Sequence, residues 1–523
     1  MKLIATGEMR ELDKRTIEEF GTPSEVLMER AGHGVADTVR RMMDLAGFHF
    51  PIVHLIAGRG NNGGDAYVAG RILKEAGIDV EVWIAGAVRD LKGDAMKHFC
   101  LMKAAGVSYE ELDTQGAWDE ALLRPVLSEI IVDGILGTGT NGPARGPAAG
   151  AIQYINSRSP EALVVAIDIP SGLDADSGQP SGDAVLADIT ATIGLPKKGL
   201  VRPEALDYIG SVEVIDIGIP KDFIDETECD SECELIFPTD LRSLLSRRAR
   251  ASHKGQFGHA LLIGGAAGYA GAIGMAARAA VRSGAGLISA LVPHGIVPII
   301  AGTSLETMVI GAEETASGSL SMENWRTWRS GLDAFDAVLL GPGMTRSSDT
   351  LTLAREILRE SPVPLVIDAD AIAVFENQPD WIAKARCPVV LTPHPGELGM
   401  LFGLTAEEVQ ADRVGIAVAA AKFTGATVIL KGAGTIVAEV DRPTGINLTG
   451  NPGMATGGSG DVLAGLVTGL MAQGLAPYDA ARLAVYLHGR AGDLVAWRKS
   501  QSGLSATDLI DELAYAFRDI TLR

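Results

Sequence analysis

A glycine-rich stretch that ends in a single acid is the part of this sequence best suited to chemistry. Glycines recur from residue 451 onward, Asp461 follows them, and an apolar helical pattern continues to Leu470. Such a backbone can point several N–H groups at one anion, and the start of a helix adds partial positive charge. The stretch predicts a phosphoryl-transfer site with Asp461 as the base. The alternative interpretation is a glycine-rich turn in which Asp461 caps the helix.

Two further glycine loops occur in the first half of the chain. Residues 58–65 follow the apolar run 51–57, and residues 137–142 follow the apolar run 129–133. Both loops match the G-x-G-x-x-G dinucleotide fingerprint, in which a strand, a glycine loop and a helix come in succession. One chain cannot use both as the first turn of a single nucleotide-binding unit, so neither match identifies a dinucleotide site by itself.

Oxygen-bearing side chains follow the predicted strands of this half. They are Asn61, Asn62, Asp65, Asp133, Asp168, Ser171 and Asp174. The carboxyl ends of parallel strands lie at one edge of a sheet, so these groups are expected to converge there. Several carboxylates together need a cation or an acid–base task to offset their repulsion. Each aspartate alone could instead close a turn or cap a helix. Lys197 and Lys198, in a later loop, either meet a phosphate or are solvated.

The second half repeats this arrangement. Polar or glycine loops follow apolar strands at residues 341–343, at Asp368 and Asp370, at 392–397 with His394, and at 431–435 with Lys431. Five such loops, counting the one with Asp461, are better explained by one elongated ligand than by separate turns. A satisfied loop histidine and a solvated lysine remain the alternatives for His394 and Lys431. The Walker A pattern is absent, which excludes a P-loop enzyme.

These loops require two α/β domains to position them. The chain has 523 residues, too many for one ordinary core. Strand and helix patterns alternate through residues 1–220 and again through 236–523, which predicts two α/β domains. Residues 221–235 are acidic without a regular apolar period and are expected to form a solvated linker. A basic helix is expected over 241–250.

Composition excludes several classes of function. The net charge of −21 argues against binding to nucleic acid or to anionic membranes. Four cysteines do not form a disulfide framework, and no secretory segment begins the chain. Residues 260–277 carry no charge but are rich in glycine and alanine, so they are read as strand, loop and helix rather than as a membrane span. A cytoplasmic protein is expected.

The motifs together resemble two known families. Residues 451–461 (NPGMATGGSGD), 392–397 (TPHPGE) and 341–343 (GPG) resemble the ribokinase-like NAD(P)H-hydrate dehydratases. Residues 58–65 (GRGNNGGD), 133–139 (DGILGTG) and 168–174 (DIPSGLD) resemble the NAD(P)H-hydrate epimerases. In this order they are similar to the bifunctional bacterial repair enzymes, over nearly the whole chain apart from the linker. Ala66 departs from the epimerase pattern, which usually has glycine there.

The resemblance implies an N-terminal Rossmann-like α/β/α sandwich that interconverts the two epimers of NADH or NADPH hydrated at C6 of the nicotinamide ring. It implies a potassium ion held by Asn62, Asp133 and Ser171, and Asp168 as the acid–base group. The positions that match the hydrate-binding ones are Asn61, Asn62, Gly63, Gly64, Asp65, Gly137, Thr138, Gly139, Thr140, Asn141, Gly142, Pro143 and Asp168.

For the second half the resemblance implies a ribokinase-like α/β domain that dehydrates the S epimer, coupled to ADP or ATP cleavage. ADP is expected from the bacterial members, with magnesium at the phosphates and Asp461 as catalytic base. Hydrate-binding positions are matched by Ala270, Gly343, His394 and Asp461. Nucleotide-binding positions are matched by Lys431, Gly432, Ala433, Gly434, Thr435 and Gly460.

Two alternatives remain open at this point. The second domain could be a small-molecule kinase that makes a stable phosphate ester, because the same glycine–aspartate site serves both reactions. The first domain could only bind a ligand or partner. A homo-oligomer is expected, because proteins of this superfamily often assemble.

Overall fold

The chain folds into two compact units. The computed structural model describes residues 1–49, 51–125, 128–139, 142–227, 229 and 233–521, and its units are Met1–Leu235 and Ile236–Arg523. Thr140 and Asn141, both predicted to bind the hydrate, lie outside the described residues.

The first unit is built on a parallel sheet. Its strands lie in the order β3-β2-β1-β4-β5-β6-β7, and each neighbouring pair is parallel. The order reverses direction between β1 and β4, which opens a crevice at the carboxyl ends of these two strands. The strands of this sheet are β1 (Ile52–Ala57), β2 (Asp79–Ile84), β3 (Ser108–Glu111), β4 (Ile130–Gly134), β5 (Leu163–Ile167), β6 (Ile189–Ile193) and β7 (Ser211–Ile215). A short strand, β8 (Cys233–Leu235), follows later in the chain and is not part of this sheet.

Helices connect these strands. Helix α3 follows the first glycine loop directly, and its first half is almost wholly buried, because the loop and helix lie in the crevice. The helices are α1 (Thr6–Glu18), α2 (Ser24–Ala46), α3 (Asn61–Glu75), α4 (Gly93–Ala104), α5 (Gln115–Ala121), α6 (Pro147–Arg158), α7 (Leu206–Ile209) and α8 (Lys221–Glu226).

The stretch expected to be an irregular linker differs from that expectation. It contains α8 and β8, and both belong to the first unit. The Arg15 guanidinium lies 4.2 Å from the centroid of the Phe223 ring, and Lys2 Nζ donates to the carbonyls at the end of α8, including that of Ile224 at 3.0 Å. The segment is thus held by the Phe223 ring and by two cations, Arg15 and Lys2. Contacts of this kind leave no apolar period in the sequence.

The second unit is also built on a mainly parallel sheet. Its strands lie in the order β11-β10-β9-β12-β13-β14-β15-β16-β17, parallel as far as β15 and antiparallel from β15 to β17. They are β9 (His259–Ile263), β10 (Leu287–Pro293), β11 (Thr307–Ala312), β12 (Ala337–Leu340), β13 (Leu365–Ile367), β14 (Val389–Leu391), β15 (Thr427–Leu430), β16 (Thr435–Ala438) and β17 (Thr444–Asn447).

The helices of the second unit pack closely on this sheet and on one another. A Cβ atom at Gly465 would lie 2.1 Å from the Ala276 carbonyl oxygen, so two of these helices approach as near as their backbones allow. The helices are α9 (Pro238–Leu241), α10 (Ala270–Arg282), α11 (Val297–Thr303), α12 (Glu323–Trp328), α13 (Ser348–Glu360), α14 (Asp370–Ala373), α15 (Asp380–Ala383), α16 (Pro395–Phe402), α17 (Ala406–Ala411), α18 (Arg413–Thr424), α19 (Ser459–Ala472), α20 (Pro477–Arg498) and α21 (Ala506–Thr521).

The helix expected over 241–250 is wrong. The chain makes only α9 and one 3-10 turn (Arg242–Leu244) there, because the basic residues beyond Leu244 present no apolar face to bury. The uncharged stretch 260–277 forms β9, a glycine loop and the first half of α10. Within the described ranges, no helix is both long enough and apolar enough to cross a membrane.

Candidate active sites

The first glycine loop is held tightly in the crevice between β1 and β4. The Gly58 amide donates to the Gly134 carbonyl at 2.9 Å. A Cβ atom at Gly58 would lie 1.9 Å from the Ile135 carbonyl oxygen, and one at Gly63 would lie 2.0 Å from the Gly58 carbonyl oxygen. Both positions therefore require glycine, because backbone meets backbone there.

Beside this loop lies a cavity of about 560 Å³ at the carboxyl edge of the sheet. Its wall includes seven residues that the sequence predicted for the hydrate site: Asn61, Asn62, Asp65, Gly137, Thr138, Gly139 and Asp168. Gly63, Gly64, Gly142 and Pro143 do not line it. Gly63 and Gly64 instead allow close packing, since a Cβ at Gly64 would lie 2.5 Å from Met28 Sδ. The cavity gathers most of the described candidate residues in one place.

Asp168 is bound to a buried lysine in this wall. Lys197, 1% exposed, donates from Nζ to Asp168 Oδ1 and to the Ile193 carbonyl at 2.7 Å. The Ile193 amide also donates to Asp168 Oδ1, at 3.1 Å. Asp168 has a φ of 65°, a left-handed conformation that directs the loop after β5 and is uncommon for aspartate. Lys197 is thus neither solvated nor free to meet a phosphate, contrary to both interpretations of the sequence.

Two more carboxyl groups face the same cavity. Burial raises the pKa of Asp65 well above its ordinary value, and the charges of Asp168 and Asp13 add to this effect. Burial also raises the pKa of Asp13 to about 6, with Lys197 opposing and Asp168 reinforcing the rise. No sequence motif distinguishes Asp13, because it is one acid among several on the amphipathic helix α1.

The three residues predicted to hold potassium form one cluster. Ser171 Oγ donates to Asp133 Oδ1 at 2.6 Å, and the Ser171 amide donates to Asp133 Oδ2 at 2.8 Å. Asn62 Nδ2 donates to the Leu136 carbonyl at 2.9 Å, and the Leu136 amide donates to Ser171 Oγ at 2.8 Å. Burial raises the pKa of Asp133 to about 6. The cluster offers carboxylate, hydroxyl, amide and carbonyl oxygens, the donor set of a hard cation.

Asp461 lies in the first turn of α19 and does not cap it. The helix begins at Ser459, its N-cap is Gly458 with a φ of 93°, and no side chain in the described part of the chain caps it. The capping interpretation of Asp461 is therefore wrong. Burial raises the pKa of Asp461 to about 7, the charge of Asp368 adds to the rise, and Lys431 opposes it. Such a carboxylate can accept a proton near neutral pH.

Lys431 links the loops at this edge of the sheet. Its Nζ lies 2.9 Å from Asp368 Oδ1 and 3.7 Å from Glu397 Oε2, and Thr392 Oγ1 donates to Asp368 Oδ1 at 2.6 Å. A Cβ at Gly460 would lie 3.2 Å from Lys431 Nζ, so the lysine reaches the start of α19. Burial lowers the pKa of Lys431, but the charges of Asp368 and Glu397 outweigh burial, and the net shift is upward.

The loop 432–435 leaves Lys431 as a tight turn. Gly432 and Gly434 have φ values of 139° and 63°, and Thr435 Oγ1 donates to the Gly432 carbonyl at 2.8 Å. Arg413 Nη2 donates to the Leu430 carbonyl at 3.3 Å and to the Gly434 carbonyl at 3.4 Å. Arg413, the first residue of α18, thus supports the predicted nucleotide-binding residues 431–435. The sequence missed Arg413, which lies far from any glycine motif.

His394 is the N-cap of α16. Its Nδ1 accepts from the Glu397 amide at 3.2 Å, while its own amide donates to Glu397 Oε2 at 2.8 Å. The ring is largely exposed. Glu397 thus couples His394 to Lys431, which places the histidine at the same edge as Asp461.

Gly343 and Ala270 meet at the reversal point of the second sheet, between β9 and β12. Gly343 has a φ of 63°, and a Cβ there would lie 2.6 Å from the carbonyl oxygen of Tyr269, which precedes Ala270 at the start of α10. Gly343 follows β12 and Lys431 follows β15, so two strands, β13 and β14, lie between the strands that lead to them.

A buried acid supports the glycine stretch before α19. Asp493 accepts from the Gly450 amide at 3.0 Å and from Asn451 Nδ2 at 3.1 Å. Burial raises the pKa of this carboxyl group. The sequence missed Asp493, because it lies within the long helix α20.

The two units thus define a two-site α/β protein, with an acid-lined cavity in one unit and a lysine–aspartate site beside a glycine-started helix in the other. Family profiles match both: one described as NAD(P)H-hydrate dehydratase over residues 260–514, and one described as YjeF-related protein N-terminus over residues 24–199.

Relatives match the whole length. A bifunctional NAD(P)H-hydrate repair enzyme from Moorella thermoacetica is 39% identical over 99% of this chain and 97% of the relative. One from Escherichia coli is 33% identical over 97% of this chain and 92% of the relative. A solved ADP/ATP-dependent NAD(P)H-hydrate dehydratase from Bacillus subtilis is 29% identical with a TM-score of 0.48, covering 55% of this chain and 99% of its own.

The chain belongs to the family of bifunctional NAD(P)H-hydrate repair enzymes. The predicted fold class, an N-terminal Rossmann-like domain and a C-terminal ribokinase-like domain, is confirmed.

Proposed function

We propose that this chain repairs NADH and NADPH hydrated at C6 of the nicotinamide ring. The first unit interconverts the R and S hydrates, and the second removes water from the S hydrate in a nucleotide-dependent reaction. The observation that supports this most is the placement of Asp461, Lys431 and Gly460 together at the carboxyl edge of the second sheet.

Asp461 is the base of the second reaction. It takes the proton of the C6 hydroxyl, whose oxygen then attacks the terminal phosphorus of the nucleotide. First-turn N–H groups of α19 stabilise charge on the transferred phosphoryl group, because they have no partner within the helix. Phosphate then leaves C6 with the bonding electron pair as C5 loses a proton, which restores the ring double bond. With ADP as co-substrate, the products are AMP, phosphate and NADH or NADPH.

Lys431 and the loop 432–435 are proposed to hold the nucleotide, and Ala270, Gly343 and His394 the hydrate. A magnesium ion would offset phosphate charge during transfer. The acids at this edge fit that task, although the described residues contain no cluster of three or more His, Cys, Asp or Glu side chains arranged as a metal site. Nucleotide phosphates would therefore supply part of the ion's coordination.

Asn62, Asp133 and Ser171 are proposed to hold a potassium ion in the first unit. Their oxygens are mixed in type and largely neutral, which suits a large monovalent cation better than magnesium. Such an ion would orient the hydrate beside Asp168.

The test is recovery of reduced-nicotinamide absorbance from a mixture of hydrate epimers, run separately with ADP and with ATP. We expect the absorbance to recover fully, because both epimers are converted, and to recover faster with ADP than with ATP. Asp461→Asn should abolish the recovery. Asp349→Asn, a first-turn aspartate of α13, is the matched control. A stable phosphate ester in place of restored absorbance would instead identify a small-molecule kinase.

A further inference from the structure

We propose that Asp13 is a second acid–base residue of the first site and donates a proton to the leaving C6 hydroxyl, while Asp168 acts as the base. The inference rests on the proposed epimerisation and assigns that reaction a catalytic group on α1.

Asp13 lies where it can reach a ligand in the cavity. It lines the 560 Å³ cavity together with Asp168 and Lys197. Its Oδ1 is buried and has no hydrogen-bond partner among the described residues. An unpaired buried oxygen is costly and calls for an explanation, and a ligand group that enters the cavity would provide one.

The charged groups around Asp13 also favour a role as the acid. The charges of Lys197 and Asp168 act on Asp13, and the charge of Asp13 acts in turn on Asp65. The other charged residues in the cavity wall are Arg10, Arg59 and Asp94. Asp168 accepts from Lys197 and from the Ile193 amide, so two donors already contact this carboxyl group. No donor among the described residues reaches Asp13 Oδ1, and burial raises the pKa of Asp13 to about 6. Two carboxyl groups in different environments are the usual basis for dividing acid and base roles.

The reaction balances with these two groups. Asp13 gives its proton to the C6 hydroxyl oxygen, the C6–O bond breaks with its electron pair on oxygen, and water leaves as the N1 lone pair forms an N1=C6 bond. A second water adds to the other face of C6 and gives a proton to Asp168. One water leaves, one enters, and one proton passes from Asp13 to Asp168, to be returned through solvent exchange. The reverse epimerisation uses the opposite protonation states.

The experiment uses the full chain without nucleotide, so that the second unit consumes no hydrate. Conversion of purified R hydrate to S hydrate is followed chromatographically from pH 6 to 8.5, and the uncatalysed rate is subtracted. Wild-type kcat should fall as pH rises above the pKa of the acid. Asp13→Asn should lower kcat by about 100-fold or more and remove that limb of the profile. Asp13→Glu should restore part of kcat and part of the pH dependence. Glu11 is exposed on the same helix, so Glu11→Gln should match the wild type.

Oxygen exchange provides a second readout. Each catalysed epimerisation in ¹⁸O-labelled water should incorporate one label at C6. The inference would be overturned if Asp13→Asn kept the fall of kcat at high pH, whether kcat itself stayed at the wild-type value or was reduced. Wild-type chain without any epimerisation would instead overturn the proposed function. If Asp13→Asn does not fold, Asp13→Glu decides: the fall of kcat at high pH should move to a different pH, and a fall at the wild-type pH would overturn the inference.

Discussion

Replacing Asp461 by asparagine is expected to stabilise the second unit while abolishing its activity. The pKa of this carboxyl group rises from 3.8 to about 7, chiefly through burial and the charge of Asp368. A carboxyl group whose pKa is raised by folding costs stability wherever the pH exceeds its unfolded value. A rise of about three units corresponds to an upper limit of about 4 kcal/mol at about 1.4 kcal/mol per unit. Because solvent still reaches the side chain, we expect about 2 kcal/mol.

The sign of the effect changes with pH in a defined way. Above pH 7 the group is ionised in both folded and unfolded chains, so the full cost is present and Asp461→Asn relieves it. As pH falls from 7 toward 4, the folded carboxyl group becomes protonated first, and the advantage of asparagine shrinks to nothing. Between pH 8 and pH 5 the stabilisation should fall by about half or more.

Calorimetry of the nucleotide-free chain measures this directly. At pH 8, about 2 kcal/mol corresponds to a rise of about 4 °C in the transition of a unit of this size. Asp349→Asn is the control, because it also removes a first-turn carboxylate from a long helix and should lose only a few tenths of a kcal/mol through the helix dipole. An unchanged or lower Tm for Asp461→Asn at pH 8, or an equal gain at both pH values, would refute the reasoning.

Three further predictions follow from the contacts at the two sites. Lys431→Met removes the charge that lowers the pKa of Asp461, so the acid limb of the dehydration rate should move to higher pH, and a limb that stays in place would contradict this coupling. Gly343→Ala should destabilise the second unit by about 2 kcal/mol or more, because its φ is positive and the added Cβ would lie 2.6 Å from a carbonyl oxygen; Gly271→Ala, whose Cβ meets nothing within 4 Å, is the calorimetric control. Lys197→Met leaves the largely buried Asp168 without its cation, so it should lower the stability of the first unit by about 3 kcal/mol and abolish epimerisation, with Lys198→Met near wild type in the same assays.

The sequence predicts the sheets well where local pattern determines them. The apolar runs 51–57 and 129–133 form β1 and β4 to within one residue at each end, since each run is followed directly by a glycine loop. The sequence does not reveal the edge strands β3 and β11, because β3 is polar and β11 is half exposed with only three consecutive apolar residues before a glycine. Pattern therefore reveals buried strands and overlooks those at an edge.

The same limit applies to the candidate sites: their contiguous motifs can be predicted, and the residues that only the fold brings together cannot. Glycine loops and the acids next to them could be predicted, because they are contiguous in the chain. Asp13 and Asp168 are far apart in sequence, and only the fold brings them to one cavity. The burial of Lys197 likewise depends on neighbours from several elements, as does the support that Arg413 gives to the loop 432–435. No local period carries such information.

Both sites use a similar electrostatic arrangement. Each sheet has the same order in its parallel part, and each places a lysine–aspartate pair at its carboxyl edge, Lys197 with Asp168 and Lys431 with Asp368. Because the lysine is already bound to one carboxylate, it offsets only part of the cost of burying the next. That next group, Asp13 or Asp461, has a pKa raised to about 6 or about 7. A raised pKa suits proton transfer in either direction near neutral pH. In the mechanisms proposed above, the same C6 hydroxyl is protonated in one unit, where water leaves, and deprotonated in the other, where the oxygen attacks phosphorus.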